Sequence, residues 1–184
     1  MWAIGYERVF LRSNAILFNY LYSYSYNHMS NSIEQKLNAL GLSLPVLPVS
    51  KGIYKRCLAD GNKLYISGHI SINNDGSPIT GKLGKDLDEE QGKIAARQCG
   101  LAILSAIKEH TGSLDKVKRV IKILGLVNSS TDYEKHPIVI NGCSELFVQL
   151  WGDDNGKGVR SAFGAGSLPG NVAVEIEAIF EMEL

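Results

Sequence analysis

The segment from Val172 to Glu181 constrains the fold more than any other part of the chain. Val172, Val174, Ile176, Ala178 and Phe180 alternate there with Ala173, Glu175, Glu177, Ile179 and Glu181. A period of two places the first set on one face of a β-strand and the second set on the other. One face is wholly apolar and has to meet helices. The other carries three carboxylates together with Ile179. The chain therefore needs helices to cover one side of a sheet whose other side is amphipathic.

The remaining pattern supplies those helices. Asn31–Leu40 places Ile33, Leu37 and Leu40 at helical spacing, with Ser32 as N-cap and Gly41 as stop. Leu44-Pro45-Val46-Leu47-Pro48-Val49 is expected to be an extended arm, because each proline pushes its predecessor out of the helical region. Ile53–Ala59 and Lys63–Ile70 read as strands of a hairpin turning at Asp60-Gly61-Asn62. Asp88–His110 reads as a helix burying Ile94, Leu101, Leu104 and Ile107, with Ala95, Ala102 and Ala106 allowing close approach to a sheet; Thr111-Gly112 ends it. Val117–Asn128 is rich in β-branched residues and reads as a strand. Pro137 opens a second helix burying Val139, Cys143, Leu146, Phe147 and Leu150, and Gly152–Gly158 reads as a loop. The order of hairpin, helix, strand, helix and strands predicts an α+β fold, with two main helices packed on one face of a mixed sheet.

Composition narrows the function. Nineteen basic residues balance nineteen acidic ones, so no overall charge draws the chain to nucleic acid or to a membrane surface. Cys57, Cys99 and Cys143 are far apart, and His28, His69, His110 and His136 form no metal-ligand spacing. The cysteines are expected to be buried free thiols, and neither a metal nor a cofactor is expected. Residues 1–29 differ from the rest of the chain: Trp2, Tyr6, Phe10, Phe18, Tyr20, Tyr22, Tyr24 and Tyr26 make them strongly aromatic. They are read as a tail that is disordered, targeting or a misassigned start, ahead of a single domain over residues 30–184. The expected location is the cytoplasm, or the mitochondrion if residues 1–28 are a transit peptide.

Four separated segments carry a family resemblance. They are Tyr54; Tyr65-Ile66-Ser67-Gly68-His69; Val139-Ile140-Asn141-Gly142-Cys143-Ser144-Glu145-Leu146-Phe147; and Arg160-Ser161 followed by Leu168-Pro169 and Val174-Glu175-Ile176-Glu177-Ala178-Ile179. In this order and spacing the chain resembles the RidA/YjgF family of reactive intermediate deaminases, formerly described as endoribonuclease L-PSP. The resemblance implies a chorismate-mutase-like fold assembled as a homotrimer with clefts between subunits. A sheet face with Ile179 beside Glu175 and Glu177 also suits a subunit interface containing a polar cleft.

The chemistry implied by the resemblance is hydrolysis of enamines and imines, such as 2-aminoacrylate, to 2-keto acids and ammonia. Arg160 matches the arginine that binds the substrate carboxylate, a task suited to the parallel donors of a guanidinium. Glu175 matches the glutamate proposed to activate water. Glu177 lies on the same strand face roughly 7 Å further along and is read as the outward charge, with a simple solvated face as the alternative for both glutamates. Tyr54 and Asn141 match cleft-lining positions, with packing roles as the alternative, and Gly68 suits close approach of backbone to ligand. Two departures stand out. Ala162 occupies a position where many relatives carry cysteine or serine, and Lys55 and Arg56 follow Tyr54 where a small residue and glutamine are common. The expected partner is a small carboxylate substrate. Two other readings are a non-catalytic carboxylate-binding or regulatory protein on the same scaffold, and a ribonuclease, against which the neutral charge argues.

Overall fold

The computed structural model describes residues 32–50 and 52–183. The expectations for residues 1–29 lie outside them. A short helix α1 (Ile33–Ala39) opens the chain, capped by the Ser32 hydroxyl accepting from the Gln35 amide. Strands β1 (Cys57–Asp60) and β2 (Lys63–Ile70) form the hairpin. Helix α2 (Glu89–Thr111), strand β3 (Val117–Asn128), helix α3 (His136–Gly156), strand β4 (Val159–Ala165) and strand β5 (Val174–Met182) come next. The sheet order is β1-β2-β5-β3-β4; only the β3–β4 pairing is parallel. β2 and β3 both run against β5, which fills the slot left between them by the α2 crossover.

Local chemistry sets the helix limits. Asp88 and Gln91 exchange side-chain-to-backbone hydrogen bonds of 2.8 and 2.9 Å, a capping box that starts α2. Gly112 stops it in the left-handed conformation, φ 83°. The apolar face of β5 meets both long helices, and Val174, Ile176 and Phe180 are fully buried. Phe147 of α3 packs edge-on to Phe180 at 5.5 Å between centroids. All five residues expected to be buried on the second helix are inaccessible. The three cysteines are free and buried.

Three readings of the sequence need correction. Ile94 is half exposed; α2 instead turns Ala95, Cys99, Ala102 and Ala106 inward. The Cys99 thiol donates to the Val174 carbonyl at 3.3 Å, so the small-residue stripe is the face that meets the sheet. The segment from Gly152 does not leave the helix at once: α3 continues to Gly156 across a kink where Gly152 has φ 78°. The exposed Asp153–Lys157 pair, one helical turn apart, suits that continuation. Finally, β1 begins at Cys57 rather than Ile53, because its ladder with β2 ends at the Cys57–Ile66 pair. Residues 53–56 thereby leave the sheet, and this displacement opens the site.

Candidate active site

The hairpin pairing of the β2 edge ends with the Ser67 amide, which donates to Arg56 O at 3.0 Å, and a bulge between Ile66 and His69 shifts the register with β5. Such irregularities re-aim side chains and leave backbone accessible. The arm running through Leu47, Pro48 and Val49 stands across the gap, held by the Ser105 hydroxyl donating to Pro45 O at 2.9 Å. Arg56 donates through Nη2 to Pro48 O and through Nη1 to Glu109 of α2 at 3.5 Å, which ties the arm to the helix. Arm, bulge and helix enclose a cavity of about 750 Å³. Tyr54, Gly68 and Glu175 all line it.

Within the cavity Glu175 lies directly against Gly68. A Cβ added at Gly68 would overlap the Glu175 carboxylate, with Cδ only 3.0 Å away. Glycine at 68 is thus a packing requirement of the carboxylate rather than a matter of backbone conformation. Burial raises the Glu175 pKa from its ordinary value, and the neighbouring negative charge of Glu177 raises it further. Glu177 itself is exposed. Of the two glutamates, Glu175 is the one placed to exchange a proton in a cleft.

Arg160 and Asn141 lie elsewhere on the chain. Arg160 sits on the edge strand β4 and donates through Nη1 to Asn141 Oδ1 at 2.9 Å and Ser144 Oγ at 3.0 Å, and through Nη2 to Pro137 O at 3.2 Å. All three partners are neutral, so the guanidinium is held firmly while its charge is left for another anion. Arg160 pairs with Ile123, a core residue, and so points to the helix-covered face. Glu175 pairs with Leu126, one position out of phase, and points to the other. Two strand spacings and three residues of register separate their Cα atoms by roughly 14 Å.

Comparison with known proteins places the chain in a family. The family described as "YjgF/chorismate_mutase-like, putative endoribonuclease" matches residues 34–181. The chain belongs to the YjgF/RidA family. Protein TCP17 of Trypanosoma cruzi is 35% identical, over 83% of this chain and 96% of its own length. A 2-iminobutanoate/2-iminopropanoate deaminase of Dermatophagoides farinae is 27% identical, over 77% of this chain and 95% of its own. Among solved structures, a protein of unknown function from Agrobacterium tumefaciens superposes with a TM-score of 0.76 at 37% identity, over 85% of this chain and 97% of that one.

This YjgF/RidA-family chain adds groups to the cavity that its sequence did not single out. His69 lines it and is only 6% exposed. Its Nδ1 contacts Ser67 O at 2.8 Å, which makes Nδ1 the donor and leaves Nε2 a lone-pair acceptor without a partner among the described residues. Burial lowers the His69 pKa, which favours the neutral ring. The sequence signal is faint: one histidine in a strand does not reveal which face it occupies beyond a bulge. Burial pushes the Cys57 thiol up to about 11 and the Cys143 thiol up to about 12, which disfavours the nucleophilic thiolate of each.

Proposed function

We propose that the chain hydrolyses enamine and imine intermediates derived from 2-amino acids, of the 2-aminoacrylate type, to 2-keto acids and ammonia. The enamine first tautomerises to the imine. Glu175 takes a proton from water as its oxygen bonds to the carbon of the protonated imine, the C=N electron pair moving to nitrogen to give a neutral carbinolamine. The glutamic acid then returns its proton to that nitrogen, the C–N bond breaks as the carbonyl forms, and the hydroxyl proton leaves with ammonia as ammonium. Such a base works best with a pKa drawn toward neutrality, the direction in which burial and Glu177 move Glu175.

The observation that carries the reading is Glu175, half-buried in a cavity over Gly68 with its pKa raised. The name of the mite relative supports the same chemistry. The carboxylate clamp is Arg160 contributed by a neighbouring copy, because within one chain the two residues face opposite sides of the sheet. That copy is a subunit of a homotrimer. Leu58, Tyr65 and Phe163, half exposed on the uncovered sheet face, suit burial there.

Release of ammonia and keto acid from enzymatically generated 2-aminoacrylate, measured against the uncatalysed rate, tests the proposal. Acceleration is expected. Keto-acid binding without acceleration would instead identify a carboxylate sensor on this scaffold.

A further inference from the structure

A second group of reactive side chains lies where β3 leads into α3. It borders a hollow of about 310 Å³ that shares no lining residue with the cavity of Glu175. Ser129, 7% exposed, follows the last residue of β3, and His136 is the first residue of α3. The Ser129 Oγ is 3.0 Å from His136 Nε2. Tyr133 packs edge-on to the imidazole, 5.4 Å between centroids and 77° between planes, and so orients the ring. Residue 164 of the edge strand β4 faces the pair. A Cβ there would lie 2.5 Å from Nε2 and 2.8 Å from the Ser129 Oγ, so a side chain would cover both atoms. Gly164 leaves them open to the hollow. A hydroxyl within reach of a base, with the base oriented by a third group, is the arrangement that makes serine a nucleophile.

The walls decide what can react there. No carboxylate, ammonium or guanidinium lines the hollow among the described residues, so nothing in it recognises an ionic ligand. The amides of Thr131 and Gly166 line it and have no acceptor among the described residues. Amides of this kind stabilise the oxyanion that forms when a carbonyl is attacked. The volume is at the small end of ligand pockets and suits a short acyl chain.

We propose that Ser129 and His136 form a second catalytic site, which hydrolyses neutral esters of short-chain carboxylic acids. Ser129 Oγ bonds to the ester carbonyl carbon as its proton passes to Nε2 of the neutral His136. The C–O bond to the alcohol then breaks, Nε2 returns the proton to the departing oxygen, and an acyl-serine remains. Water loses a proton to the same nitrogen and attacks the acyl carbon. Collapse of that adduct releases the carboxylic acid, and Ser129 Oγ recovers its proton from Nε2.

The test uses the full chain with 4-nitrophenyl acetate and, separately, with a fluorophosphonate, a reagent that attaches to nucleophilic serines. Peptide mass spectrometry should find both labels on Ser129. Release of 4-nitrophenolate in excess of that given by Ser129→Ala is the catalysed rate, and it should continue beyond one equivalent per chain. His136→Gln keeps a hydrogen-bond partner for the hydroxyl but has no base to take its proton. It should melt within a few degrees of the parent, yet lose about a hundredfold or more of the catalysed rate. Lysines acetylated by the same ester should be labelled equally in parent and variant. Absence of both labels from Ser129 in the parent overturns the proposal, and that result needs no variant to fold. A folded His136→Gln that matches the parent's rate also overturns it, because the contact would then be structural.

Discussion

The carboxylate of Glu175 occupies the space that a side chain at residue 68 would fill. Gly68→Ala should therefore displace Glu175 without disturbing the strand, since position 68 has no positive φ. Turnover should fall on the order of tenfold or more, with the melting temperature changed by only a few degrees. A fully active Gly68→Ala would show that the observed placement of Glu175 is irrelevant to chemistry.

Arg160 and Glu175 point to opposite faces of the same sheet. A site that uses both has to draw them from two copies. Arg160→Ala and Glu175→Gln should each be nearly inactive as pure proteins. Unfolded together and refolded as a random equal mixture, they should recover about a quarter of the parent's sites, those in which two intact residues meet across an interface. No recovery in mixed oligomers verified by mass spectrometry would place the site within one chain.

The raised pKa of Glu175 has two consequences of opposite use. As a base it is active only when ionised, so kcat should decline as pH falls through its elevated pKa. Glu177→Gln removes the neighbouring charge that helps raise it and should move that decline to lower pH. For stability, a carboxyl with a folded pKa above its unfolded value binds more protons when folded. Its contribution is fully present below the unfolded pKa and is lost as pH rises through the folded one. Glu175→Gln should accordingly raise the melting temperature at neutral pH, with the gain disappearing below the ordinary carboxylate range. A constant difference at all pH values would argue against this origin.

Gly142 brings α3 onto α2. A Cβ there would lie 2.8 Å from the Lys93 carbonyl carbon and 3.1 Å from its Cα, contacts that backbone cannot relieve by rotation. Gly142→Ala improves helix propensity by up to about 1 kcal/mol, yet overpacking at a helix–helix contact typically costs about 1–3 kcal/mol. The packing penalty should win, and a denaturant titration should show net destabilisation. A more stable variant would mean that the helices can separate freely.

Much of the architecture arises from local pattern alone. The period-two alternation of β5, the bounds of β3, the Asp88 cap, the Gly112 stop and the buried face of α3 are set by residues close in sequence, whose steric and hydrogen-bonding demands have few solutions. Ile94 and the Gly152 region depart from the local pattern for a related reason. Hydrophobic spacing shows that a helix has an inner face, while which of two adjacent stripes meets the sheet depends on how near the helix can approach, and small residues decide that.

The resemblance to the YjgF/RidA family, carried by four short segments, is what singles out Tyr54, Gly68, Asn141, Arg160 and Glu175 in the sequence. Only the tertiary structure sorts them into one group at the cavity and another on the opposite face. Facing direction in a sheet depends on register, and one bulge at Ser67–Gly68 and one early end of β1 change what lies beside what. The cavity behind Glu175 is likewise invisible in the sequence, because its wall joins an arm, a strand edge and a helix far apart along the chain. Amino-acid order determines the chemistry each group can perform, and long-range packing determines which groups share a space in which to perform it.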